Sequence, residues 1–202
     1  PPHPRIAFTE AGFSEVNHLY VENDPRLALS QPASLLVIGP RGPGLAKALH
    51  LGSTAEWLIT RPPSPMLIPR HGRVTRSVTV CHDGSSHATV ATQALARMPW
   101  IEGVAVTVLA VDDSRSDPST AVEEATAILS DSGAVLDARM LVGDPTQVIL
   151  RHLERHGTDL LVFGTSGLTG LQRLRVGSTA SALAHATDLS ILVACDHSVY
   201  EA

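Results

Sequence analysis

Two clusters of residues have the types and spacing to handle a phosphorylated ligand. The first is Asp83-Gly84-Ser85, directly after the apolar run Ser77 to His82. The second is Gly164 and Gly167, which follow the apolar run Asp159 to Phe163, with Gly177-Ser178-Thr179 beyond a nine-residue loop. Glycines let backbone N–H groups come close to an anion, and a helix that opens at Gly177 adds unpaired donors and a favourable dipole. Ser178 and Thr179 bring hydroxyl donors to the same phosphates. Asp83, Gly84 and Ser85 at a strand end suit the other half of such a ligand, the aspartate accepting from ribose hydroxyls or from the base. The pattern reads as a nucleotide site with phosphates at the glycines and the nucleoside near Asp83 and Val111. It is neither a GxxxxGK[ST] loop nor a GxGxxG site. The only lysine, Lys47, lies elsewhere.

These residues need elements to hold them at one edge of a sheet. From Ser77 onward strand-like and helix-like segments alternate. Strands are expected at Ser77 to His82, Val104 to Val111, Ala134 to Val142, Asp159 to Phe163 and Ser190 to Cys195, each short and rich in branched residues. Helices are expected at His87 to Met98, from a capping box of Thr120 and Glu123 through Leu129, from Pro145 to about His156, and after Gly177. Strict alternation implies an α/β, doubly wound sheet of parallel strands joined by right-handed crossovers. Ligands bind such sheets beyond the carboxyl ends of the strands, where both clusters fall.

The chain also repeats itself. LLVIGPRGPG from Leu35 matches LLVFGTSGLTG from Leu160, and Gly39, Gly42, Gly52, Ser53 and Thr54 recur as Gly164, Gly167, Gly177, Ser178 and Thr179 at a constant offset of 125 positions. PMLIP and SILVA align in the same way, and VENDP resembles VGDP at an offset of 120. A tandem chain is therefore expected: a first copy over 1–70 holding only its strands three to five, a linker over 71–76, and a complete copy over 77–202. The opening Pro-Pro-His-Pro, without Met, reads as a fragment or a processed form. Strand three of the first copy, near Val16 to Val21, would lack a neighbour. The first copy would keep a phosphate cradle but no counterpart of Asp83.

These residues resemble the universal stress protein family. Its ATP-binding members carry Gly-x2-Gly-x9-Gly-Ser/Thr, matched here by Gly164, Gly167, Gly177 and Ser178, and the family's strand-one aspartate matches Asp83 within VCHDGS. Val111 corresponds to the strand-two residue that packs against adenine. The similarity covers residues 77–195, with a shortened copy over about 14–69. It implies a five-stranded sheet in the order 3-2-1-4-5, ATP binding with Mg2+ or Mn2+ possible beside the nucleotide, a regulatory role in stress, and homo-oligomers formed through the last strands. Hydrolysis would be slow at most. Two alternatives are a nucleotide-free interaction module of the same fold and an adenine-nucleotide α-hydrolase type of enzyme, whose SGGxDS signature is absent.

Composition narrows the remaining classes. Apolar residues make up 44% of the 202 residues, charged residues 17% and aromatics 3%, so a core of Ala, Val, Leu and Ile is expected. A net charge of −5 without a basic run argues against nucleic acid or an anionic membrane as partner. Without a long apolar run, and with two cysteines in strand-like segments, a cytoplasmic location is expected. The other polar residues have plainer readings. His152 and His156 form a solvated helix face rather than a metal pair, and His82 and His87 sit at the surface beside Asp83. Asp112 and Asp113 form an acidic turn, and Asp144 caps a helix. Arg173 and Arg175 lie in the phosphate loop, where they either neutralise γ-phosphate or are solvated loop arginines.

Overall fold

A computed structural model describes residues 29, 33–39, 51–60, 62–72, 74–114, 117–165 and 177–198. Their strands are β1 (Leu36–Val37), β2 (Met66–Ile68), β3 (Ser77–Cys81), β4 (Ala105–Asp112), β5 (Val135–Val142), β6 (Leu160–Gly164) and β7 (Ser190–Ala194). Their helices are α1 (Ser53–Thr60), α2 (Ser86–Ala96), α3 (Pro118–Leu129), α4 (Pro145–His156) and α5 (Ser178–Ala186), with a short 3-10 turn at Ser130–Ser132. The strands form one sheet in the order β1-β2-β7-β6-β3-β4-β5. Every pairing is parallel except β2 with β7.

The parallel strands are apolar because helices cover both faces of the sheet. Along β6 the period of two separates Leu160 and Val162, which pack towards α2 and α3, from Leu161 and Phe163, which pack towards α1, α4 and α5. Both sets are buried, so the strand reads as a continuous apolar run. Small alanines let the helices approach closely: Ala91 in α2 and Ala125 in α3 are buried against valines of β3 and β4.

The sheet holds seven strands where five were expected for one copy. The reason is the antiparallel pair in which Met66, Leu67 and Ile68 face Val193, Leu192 and Ile191. The outer edge of β7, expected to join another chain, is thereby paired within this one. The stretch after β2 is also tied down. Arg70 donates its backbone N–H to Ser190 Oγ (3.0 Å), and its guanidinium donates to the carbonyls of Ala184 (2.6 Å) and Thr187 at the end of α5. Those are carbonyls that a helix end leaves without partners.

Helix starts show where local chemistry prevailed. Asp144 caps α4 as expected, accepting from Gln147 N–H at 2.9 Å. At α3 the cap is Asp117, which accepts from Ser119 N–H, and Pro118 takes the first helical position. The expected capping box of Thr120 with Glu123 thus lies inside the first turn, because Asp-Pro is itself a strong start signal. The strand expected near Val16 to Val21 lies outside the described residues.

Candidate functional site

Parallel pairing aligns the carboxyl ends of β3, β4, β5 and β6 along one rim, and a cleft of about 550 Å3 opens there. Its walls come from five separate stretches of chain. Asp83 follows β3, Val111 to Ser114 end β4, Val142 to Thr146 join β5 to α4, and Gly177 to Ala180 open α5 beside Gly164. Cys81, His82, Leu109, Ile149, Phe163 and Leu183 supply the remaining, mostly apolar lining.

The α5 end of the cleft is rich in donors. Gly177 is the N-cap and makes no side-chain capping bond, so the first-turn N–H groups carry the ordinary positive pole of a helix. Gly177 N–H donates to the Thr165 carbonyl at 2.8 Å, and Thr165 N–H donates to the Ala194 carbonyl at 3.0 Å. Those two bonds fix the helix start against the ends of β6 and β7. Ser178 is exposed and Thr179 half-buried, both on the cleft wall.

The opposite end is acidic. Asp83, Asp112, Asp113 and Asp144 all line it. Asp83 accepts from Ser85 N–H at 3.1 Å, which orients the carboxylate at the strand end. Asp112 accepts from Ser114 N–H at 2.9 Å and holds the turn in which Ser114 takes φ 66°. Asp144 both caps α4 and faces the cleft, a second role the sequence reading missed. Its signal was the VGDP string echoed by VENDP.

Of the nine residues expected to bind the ligand, six line this cleft: Asp83, Val111, Gly164, Gly177, Ser178 and Thr179. Gly84 and Ser85 sit just behind it. Gly84 has φ +78°, a left-handed turn that glycine makes without strain, and its N–H donates to His82 Nδ1 at 3.2 Å. Ser85 is buried and caps α2, accepting from Ala88 N–H at 3.2 Å. Gly167, Arg173 and Arg175 lie outside the described residues. Gly164 has a packing role besides: a Cβ there would lie 2.6 Å from the backbone of His87 and Ala88, so only glycine lets α2 start where it does.

Two histidines expected at the surface are interior. His82 is 2% exposed, because the α2 and α3 side of the sheet closes over the end of β3. Burial lowers its pKa against the raising effect of Glu124 and Asp83. Its Nε2 has no hydrogen-bond partner among the described residues. His87 is 6% exposed, and its Nδ1 accepts the Asp196 N–H at 2.8 Å. Burial lowers its pKa as well, against the pull of Asp196 and Asp83. Cys81 carries a thiol pushed up to about 12 by burial and by the charge of Asp83. The raised value favours the protonated, neutral thiol in the cleft lining. His152 is buried rather than solvated, stacked at 4.4 Å on His156, and no cluster of metal-ligating residues occurs among the described residues.

Comparison with known proteins bears on the whole chain. A universal stress protein of Synechocystis sp. is 28% identical over 162 residues, covering 78% of this chain and 56% of that protein. One from Methanocaldococcus jannaschii is 36% identical over 61 residues, covering 30% and 36%. The matched region thus spans about half or less of each relative. A universal stress protein structure from Archaeoglobus fulgidus superposes with TM-score 0.67 at 21% identity, covering 95% of this chain and 74% of that one. A structure from Pseudomonas aeruginosa does so with 0.66 at 15%, covering 98% and 78%. Both show the shared fold. The sequence profile of the universal stress protein family matches residues 75–194, and the chain belongs to that family.

Proposed function

We propose that this chain binds an adenine nucleotide, ATP in the first instance, and acts as a regulatory module in a stress response. The observation that carries the reading is the convergence of Asp83, Val111, Gly164, Gly177, Ser178 and Thr179 from four stretches of chain around one cleft. Phosphates would lie at the start of α5, where N–H groups, the helix dipole and two hydroxyls favour negative charge. The nucleoside would lie towards Asp83 and Val111. The four aspartates at that end favour sugar hydroxyls and base N–H groups over further anions. A divalent cation, Mg2+ or Mn2+, would accompany the polyphosphate, held by its phosphates rather than by a carboxylate cluster of the described residues. We read residues 77–202 as the nucleotide-binding copy of a tandem pair and residues 1–70 as its shorter repeat.

Binding rather than turnover is the expected role. Phosphoryl transfer to water requires an oriented water and stabilised charge at the γ-phosphate, and Cys81 is too weak an acid to contribute. The test is to identify what the purified chain carries. Mass spectrometry of ligand released on denaturation should yield ATP or another adenine nucleotide. A chain that releases none and ignores added ATP would instead act as an interaction module of the same fold.

A further inference from the structure

Among the described residues the edge strand β5 pairs only with β4. Exposed sheet edges are ordinarily blunted by charged side chains, lysine above all, by proline, a bulge or a short strand. The two charges of β5, Asp137 and Arg139, are of opposite sign and neutralise each other. β5 runs eight residues in continuous register, without lysine, proline or bulge, and leaves Val135, Met140 and Val142 exposed at 62%, 58% and 78%.

Its backbone fixes what can be added. Val135 N–H donates to Val104 and Gly143 N–H to Asp112 on β4. By alternation the odd-numbered residues point their N–H and C=O groups at β4, while Leu136, Ala138, Met140 and Val142 point theirs outward. An antiparallel partner must therefore oppose even-numbered outward residues with its own. For a second copy of the same strand, the registers that pair nearly the whole strand are centred on Asp137, Ala138 or Arg139. Centring on Asp137 opposes two aspartates, and centring on Arg139 opposes two arginines. Centring on Ala138 sets Asp137 against Arg139 twice, at the close, non-hydrogen-bonded positions, and Leu136 against Met140 and Val135 against Leu141. Within one chain these charges already lie on one face, Arg139 Nε donating to Asp137 Oδ2 at 2.8 Å.

We infer that β5 is a self-association edge: two copies pair antiparallel about Ala138 through a two-fold axis and continue the sheet from one chain into the other. The register follows from charge complementarity and from which backbone groups are open. It is independent of nucleotide binding. It also differs from a last-strand contact, since β2 occupies that edge of β7.

The test is sedimentation of the full chain across a concentration series, with circular dichroism and a thermal melt on every variant to establish folding. The wild type should show a reversible monomer–dimer equilibrium. Ala138→Pro removes an outward N–H and leaves the β4 ladder intact, so it should weaken association at least about tenfold in an unchanged fold. Asp137→Arg should weaken it about as much, by opposing like charges twice. The double change Asp137→Arg with Arg139→Asp should restore it. A wild type that stays monomeric, dimers that persist unchanged in folded Ala138→Pro and Asp137→Arg, or a charge swap that fails to restore pairing would each overturn the assignment.

Discussion

Single residues in this protein serve the fold and the cleft together. Gly164 lines the cleft, yet the backbone of His87 and Ala88 occupies the space a Cβ would need. Gly164→Ala should cost about 2 kcal/mol, since α2 must shift rather than a flexible side chain. Urea unfolding would measure it. The same loss at Gly177 is not expected, because that residue caps a helix beside open cleft. The buried histidines set a pH dependence of definite sign. His82, His87 and His152 all have pKa values lowered by burial, so the unfolded chain takes up protons first as pH falls. Their contribution to stability is fully present above about pH 6.5, the ordinary histidine value, and declines as pH drops below it. The urea midpoint should fall between pH 7.5 and about 5.5, and His82→Asn should flatten that decline. A midpoint that rises on acidification would contradict the burial account. In the alkaline range the Cys81 thiol, held up to about 12, gives the opposite direction, with stability falling as pH climbs above its unfolded value.

At the scale of elements, Arg70 ties the segment after β2 to the end of α5. It leaves β2 and ends α5 by donating to the carbonyls of Ala184 and Thr187. Arg70→Ala should cost about 2 kcal/mol through lost charge-assisted bonds to orphan carbonyls, readable as a lower urea midpoint at unchanged slope. Sequence patterns located most elements from Ser77 on, because branched apolar runs and Pro or Asp helix starts are local signals. Long-range packing was less visible. Nothing local in VCHDGS says that His82 is enclosed, and His87 is buried because its Nδ1 meets the backbone of Asp196, 109 residues further along. Gly164, Gly177, Ser178 and Thr179 were legible as a group because glycine spacing is a backbone requirement, and they line one cleft. Ser85, grouped in sequence with Asp83, caps α2, a role the same residue type fills at any helix start. The pairing of Met66–Ile68 with Ile191–Val193 was legible only through the repeat, since neither run alone names its neighbour.

At the scale of the whole molecule, the antiparallel β2–β7 pair joins β1 and β2 to the five other strands in one sheet over shared apolar layers. Unfolding should therefore be a single cooperative transition. Trp57 lies in α1, and in a Trp100→Phe variant its fluorescence should change at the same urea concentration as far-UV circular dichroism. Two separated transitions would mean that the repeats fold independently. Isothermal titration of the full chain with Mg-ATP measures whether one nucleotide binds at the rim of β3, β4, β5 and β6. One ATP should bind per chain, with affinity reduced at least about a hundredfold in folded Gly177→Glu, whose carboxylate would stand at the proposed phosphate position. Undetectable binding by the wild type, or binding that Gly177→Glu leaves unchanged, would contradict the proposed site.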